Sequence, residues 1–528
     1  MNPDTHRLRR PEQPGFTLPG TLSIMIFMII FSGAVMMVVM NNLAFANRTN
    51  KEQQALNIAE AGVNYYLWHL SHDPTDHKDG GKNNESPDPN LGYGPYEHDY
   101  YNANTQKTGT YTLWIKPDGN GSTVVTVRSI GETSDGTRRT IDAKIGAASF
   151  ASYGLISDVE FWFGSSEAAN GPVFSNQGVH MDGPNTSTVE SANATYVPTA
   201  PYGGNGTTKN GVWCSSTVTS PNCNSRDKSN WLYPRASVDF NQVVSALCTM
   251  KKVAFANDNT TAAFATATDA CNLTPASRSA AYIPRYNTSF SNRRGYYIVL
   301  NDNTTYSLYK VANEDDTEPT VTSALSETLV QSNIPIPSSG VIFVEDNVWV
   351  KTNSTFTGRV TIAAGRLGKD ASSADINIVG PVLYSKKNGQ DAIGLVAEKN
   401  INIMPYAIPQ TSVFTFEIDA ATLAQSGSVT YPGKYKADSF RCTRGWTSPY
   451  QQFVYYGSVA TRLYWTWNYN RSSSCGDSVH DSISGNYISG VRNTTTTYDQ
   501  NLYYAPPPSY PITGGYDVLS WREVITTP

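Results

Sequence analysis

Hydrophobic and polar positions divide the chain into four textures. No charged residue lies between Glu12 and Arg48, and the apolar run over residues 22–40 would be about 28 Å long as a helix, enough to cross a bilayer. From Arg48 the pattern turns amphipathic. In RTNKEQQALNIAEAGVNYYLWHL, Ala55, Leu56, Ala59, Val63, Tyr66, Leu67 and Leu70 follow a helical period. Together the two stretches predict one helical rod over residues 18–70, about 80 Å long.

The period then shortens. After a loop rich in Asp, Asn, Gly and Pro over residues 73–105, three alternating segments (109–116, 123–130 and 137–145) are separated by Asp118-Gly119-Asn120-Gly121 and Ser134-Asp135-Gly136. Those are hairpin signals and predict a small antiparallel sheet within residues 73–148. Beyond it, short apolar runs broken by Gly and Asn recur: residues 157–183, then VIFVEDNVWV, GRVTIAA, ADINIVGPVLY and AIGLVAEKNINI. The last four are centred about 16–18 residues apart with no helix between them, which suggests the stacked coils of a parallel β-solenoid (parallel β-helix). An antiparallel β-sandwich is the alternative. Residues 149–199 and 340–528 form the two parts of this head, and residues 200–339 read as an insertion. The insertion carries four cysteines, a helix around residues 240–255, a hairpin in YYIVLNDNTTYSLYKV, and an acidic run from Glu314 to Glu318 expected in a solvated loop. The fold class is therefore mainly β with a long N-terminal α-helix.

Composition sets the compartment. Charged residues are 16% of the chain, against about 25% in an average soluble domain, while the 32 tyrosines and abundant Ser, Thr, Asn and Gly suit an exterior β protein. The net charge of -5 comes without a basic stripe, so nucleic acid is not an expected partner. Cys214, Cys223, Cys248, Cys271, Cys442 and Cys475 all follow the apolar segment and none forms a CxxC pair, a distribution that favours disulfides over a metal site. Sequence neighbours are the simplest pairing among the 15 that six cysteines permit. Arg7, Arg9 and Arg10 precede the apolar run, which by the positive-inside rule holds the N-terminus in the cytoplasm and sends the bulk of the chain outside.

The residues before the apolar run are more specific. Gly15-Phe16-Thr17-Leu18, with basic residues upstream and the hydrophobic helix downstream, resembles the prepilin processing site of the type IV pilin superfamily. The resemblance implies cleavage by a prepilin peptidase after Gly15, a 15-residue leader, a mature chain that begins at Phe16, and a membrane and stalk helix over residues 16–72. Gly20 occupies the fifth mature position, where the family usually carries glutamate. ALNIAEAGVNYYL is similar to the PilX-type minor pilin N-terminal region, and TVRSIGETSDGTRRTIDAKI is similar to the sheet of minor pilins. The region beyond, and the closing YDQNLYYAPPPSYPITGGYDVLSWREV, resemble the solenoid-like exterior domain and C-terminal segment of bacterial surface proteins with such N-termini. Implied partners are other pilins, the pilus assembly machinery, the peptidase and the membrane.

No GxSxG, HExxH, CxxC or P-loop occurs, so catalysis is not expected and no cofactor or metal is implied. His180 and His480 could meet in space, each otherwise a turn or surface residue. A tethered polysaccharide hydrolase or lyase is the least favoured reading. In RLYWTWNYN, Trp465, Trp467 and Tyr469 share one face of a predicted strand, either buried in a sheet or stacking on the rings of a surface glycan. The expected function is a structural or adhesive minor pilin-like protein displayed at a filament tip; the alternative is a membrane-tethered glycan-binding protein outside any filament.

Overall fold

The computed structural model describes residues 17–72, 86–117, 124–165, 167–215, 226–256, 278–286, 293–315, 324–367, 373–407, 414–432, 451–471, 487–490 and 494–524, together with Asp76, Lys78, Asp79, Cys223 and Cys271. Gly15, Phe16, Cys442, Cys475 and His480 lie outside the described residues.

Helix α1, Thr17–His72, runs unbroken through both helical patterns, a rod of about 84 Å. Among the described residues, no other element packs on its first half. Leu22, Phe27 and Ile29 are all at least 60% exposed. Its second half turns Ile58, Ala59, Val63, Tyr66 and Leu70 onto an antiparallel sheet and buries them with Leu113, Val127 and Ile141. That sheet comprises β1 (Tyr93–Tyr101), β2 (Lys107–Pro117), β3 (Val124–Thr133) and β4 (Arg138–Ser149), each strand paired with the next. The approach is close where β3 crosses the helix. A Cβ on Gly131 would lie 2.2 Å from the Ala55 carbonyl oxygen and 2.4 Å from the Ala59 nitrogen, so only glycine fits there.

A fifth strand completes this sheet from the far end of the chain. The C-terminal segment, expected with the second part of the head, instead supplies Ile512–Val524, which pairs antiparallel with β4. An open edge on β4 would leave its N–H and C=O groups unpaired, and this strand covers them. Arg139 ties three elements together by donating to Glu52 of α1 and to Glu523 of the C-terminal strand, both at 2.7 Å. The head is thus inserted between β4 and the last strand. Its entry and exit segments lie side by side, with Phe150 N–H donating to the Pro511 carbonyl at 3.0 Å.

In the head, each turn of chain places one strand in each of two layers. The first layer runs, in spatial order, Trp231–Leu232, Val189–Ser191, Val173–Ser175, Leu155–Ser157, Gln451–Thr461, Phe414–Ala424, Ala392–Ala397, Arg359–Ala364, Val341–Val344 and Tyr282–Ile283. All nine pairings along this path are parallel. The chain enters mid-stack at Leu155–Ser157, winds to one end, crosses to the other, and winds back until Gln451–Thr461 seats beside its own starting strand. The residues read as an insertion therefore supply strands at both ends of the stack.

The second layer, on the other side of the shared core, holds Gly295–Leu300, Asn347–Thr352, Ile376–Ile378, Ile401–Ile403, Val429–Thr430 and Trp465–Thr466 in parallel order. A separate sheet of Phe161–Phe163, Val179–Met181 and Val212–Trp213 continues it. The hairpin expected in the insertion is present as Gly295–Leu300 against Thr305–Glu314.

Runs such as VIFV are apolar throughout because the first layer is buried on both faces. Ile342 and Val344 face the core between the layers, and Val341 and Phe343 face outward against helix α2, Gln242–Ala256. That helix applies Val243, Leu247, Met250 and Ala254 to the sheet. It also carries Lys251, which is wholly buried and paired with Glu345. Cys248 is bonded to Cys271, and Cys214 to Cys223, the pairing of sequence neighbours.

Candidate functional site

Register decides which side chains of the second layer reach the surface. Trp349, Asn377, Asn402, Thr430 and Thr466 are successive partners across five strands. The adjacent row, Ile376, Ile401, Val429 and Trp465, points to the core. Trp465 and Trp467 therefore fall on the inward side. Trp467 is 4% exposed and packs its ring on Phe453 and Tyr455 at 5.2 and 5.5 Å. The ring of Trp467 is thus covered on its own chain, and the outward positions on either side of Trp465 belong to Tyr464 and Thr466. Tyr469 lies in a separate strand, Asn468–Arg471.

The layer is interrupted between Trp465–Thr466 and Phe161–Phe163. Phe163 and Trp465 meet across the gap at 5.9 Å, where side-chain packing replaces a ladder of hydrogen bonds. The gap opens as a cleft of about 340 Å³ lined by Trp162, Tyr202, Tyr464, Trp465, Glu167 and Asn170. Trp467 forms part of its wall, and among the described residues its indole N–H has no hydrogen-bond partner. Tyr464, 41% exposed, also borders a second hollow of about 290 Å³. The floor of that hollow is a polar ladder. Asn402 Nδ2 donates to Asn377 Oδ1 at 2.9 Å, Asn400 donates through its backbone and its amide to Asp375 Oδ1 at 2.9 and 3.1 Å, and Ser428 N–H donates to Asn400 Oδ1 at 3.1 Å. Burial pushes the Asp375 carboxyl above the ordinary range. No lysine, arginine or histidine lines either hollow among the described residues.

Two sequence expectations change here. Glu314 is not solvated: it is 5% exposed and accepts hydrogen bonds from Trp349 Nε1 and the Tyr406 hydroxyl; residues 316–318 of that run lie outside the described residues. His180 is neither a turn nor a surface residue. It lies in Val179–Met181, 1% exposed, stacked between Trp162 and Trp213 at 4.8 and 3.7 Å, which are its register partners in the neighbouring strands.

Around His180 stand Ser215 and Asp182, a trio that sequence did not bring together. His180 Nδ1 faces the Tyr202 carbonyl at 2.8 Å, so that nitrogen carries the proton. Ser215 Oγ at 2.8 Å and Asp182 Oδ2 at 3.1 Å both face Nε2. A nucleophile relay needs the acid on the ring nitrogen opposite the hydroxyl. Here both groups share one nitrogen, and burial lowers the imidazole pKa; Asp182 also accepts from the Ser215 N–H and from Trp162 Nε1, so the trio ties neighbouring coils together through hydrogen bonds. Among the described residues, no three His, Cys, Asp or Glu side chains are placed to hold a metal.

No protein-family model matches the chain, and no curated protein matches it. Among solved structures it is similar to the competence-associated pilin ComZ from Thermus thermophilus, at 12% identity over 90% of this chain and 97% of that one, with a TM-score of 0.24.

Proposed function

We propose that the chain is a minor pilin-like subunit of a type IV pilus or a related filament, processed between Gly15 and Phe16, whose head is a parallel β-solenoid with an adhesive task. The observation that carries this reading is the division of α1. Its first half presents large apolar side chains to no partner among the described residues, and its second half is docked on a sheet. A helix of that kind needs lipid around it, or the equivalent helices of other subunits. The positive residues Arg7, Arg9 and Arg10 favour a cytoplasmic N-terminus. Parallel pairing through the whole first layer supports the solenoid over the sandwich.

The tip position rests on Gly20 and on the head. Space beside Gly20 is open, and glycine has no carboxylate to pair with the terminal amine of a neighbouring subunit. Such a subunit can receive the next one more readily than it can attract a predecessor. A head of several hundred residues between β4 and the last strand would crowd a close helical array, whereas an end has room for it. N-terminal peptide analysis tests the processing, with Phe16 as the first residue; a chain that starts at Met1 or after Ala46 refutes it. Gold labelling of the head on sheared filaments tests the position: label at ends supports the tip, and label along the shaft refutes it. The aromatic cleft favours a second reading, a membrane-tethered glycan-binding protein outside any filament, which predicts label confined to the cell membrane.

A further inference from the structure

The cleft and the polar hollow share Tyr464 and follow one another across successive strands: the hollow lies over the polar row of the second layer, and the cleft lies at the gap in that layer, where the inward-facing Trp465 and Trp467 form part of its wall. Their common direction is the stacking direction of the coils, in which strands repeat about every 4.8 Å, a rise comparable to one pyranose of an extended polysaccharide. The chemistry along this line is also that of sugar recognition. Tyr464 offers an exposed ring as a platform, the amides of Asn377, Asn402 and Asn170 can both donate and accept, and the indole N–H of Trp467, in the wall of the cleft, is a donor without an acceptor among the described residues. A buried, unpaired N–H is costly unless a ligand or water satisfies it.

Charge narrows the ligand class. Glu167 stands on the cleft, Asp375 and Glu314 on the hollow, and no basic side chain accompanies them among the described residues. A sulfated or uronic chain would meet like charge with no counter-ion among the described residues, and a nucleic acid or acidic peptide is disfavoured for the same reason. We infer that these two hollows, which meet at Tyr464, together bind a neutral glycan chain laid along the axis of the head, with Tyr464 as the stacking platform between them. The inference rests on the adhesive reading above and gives it a ligand class.

The test uses the full chain in a zwitterionic detergent, since a sugar-headed detergent would compete for the two hollows. Columns of immobilised neutral glucan, galactan and mannan are compared with alginate and heparin. The expected result is retention on at least one neutral polysaccharide that persists in about 0.5 M sodium chloride, where exposed charge interactions are screened. Tyr464→Ala should weaken it about tenfold, the order of one ring contact, and Tyr464→Phe should retain it. Retention on none of the neutral columns, retention only on the anionic ones, or Tyr464→Ala binding like the parent chain would each overturn the inference. The measurement needs no filament: a failure here leaves the pilin assignment standing, and a chain found outside filaments leaves the glycan-binding hollows standing.

Discussion

The contact between α1 and its sheet can be tested at a single atom. Gly131→Ala adds one Cβ whose nearest neighbours are the Ala55 carbonyl oxygen and the Ala59 nitrogen, at 2.2 and 2.4 Å, where ordinary van der Waals contact begins near 3.4 Å. Both neighbours are helix backbone, so no side chain can rotate away, and helix and strand must separate by about 1 Å. The stretch that lifts holds Ala55, Ile58 and Ala59, all fully buried. Overpacking of this kind costs about 3 kcal/mol, the upper part of its usual range, which for a unit of this size lowers the melting temperature by about 6–12 °C. Two other glycines calibrate the effect. A Cβ on Gly62 would meet the Ser129 hydroxyl and the Tyr111 ring, at 2.3 and 2.9 Å, and these can shift, so Gly62→Ala should cost about 1 kcal/mol. Gly515 has nothing within 4 Å, and Gly515→Ala should stay within about 0.5 kcal/mol. Thermal unfolding of the full chain in micelles, followed by circular dichroism, gives the order. If Gly131→Ala melts with Gly515→Ala, the helix is not seated on the sheet as described.

Three further outcomes are expected. Lys251→Met strands Glu345 in the interior without its counter-charge and should destabilise the head by about 3–5 kcal/mol, with most of the loss recovered in Lys251→Met/Glu345→Leu; a double-mutant cycle from denaturant unfolding reads the coupling. Opening the bond between Cys248 and Cys271, which are 23 positions apart, should cost about 3 kcal/mol from loop entropy, and opening that between Cys214 and Cys223, 9 apart, slightly less, both measured by melting of the Cys→Ser variants. Burial pushes the Asp142 carboxyl up, but Arg128 and Arg522 more than offset this and hold it below the ordinary range. An acid depressed in the folded state contributes stability above its unfolded pKa and loses it as pH falls through the folded one. Melting temperature should therefore decline below about pH 4, with a shallower decline in Asp142→Asn.

The sequence by itself determined the elements whose signals are local. Helical spacing in α1 and α2, the turn residues between β2, β3 and β4, and the hairpin of Gly295–Leu300 with Thr305–Glu314 all follow from period and turn chemistry within a few residues. The spacing of the apolar runs likewise came from the chain's own repeat. What only the tertiary structure decided depends on partners far away in sequence. Alternation in RLYWTWNYN says that Trp465 and Tyr464 face opposite ways, but which way is inward is set by pairing with Val429–Thr430, and a one-residue change of register would exchange the two faces. Backbone hydrogen bonds carry no record of side-chain identity, so nothing local announces that Gln451–Thr461 seats beside Leu155–Ser157 or that Ile512–Val524 closes the sheet begun by β1. The burial of Glu314 and His180 has the same origin: a charged or polar residue reads as exposed until the strands that cover it, and the donors they bring, are in place.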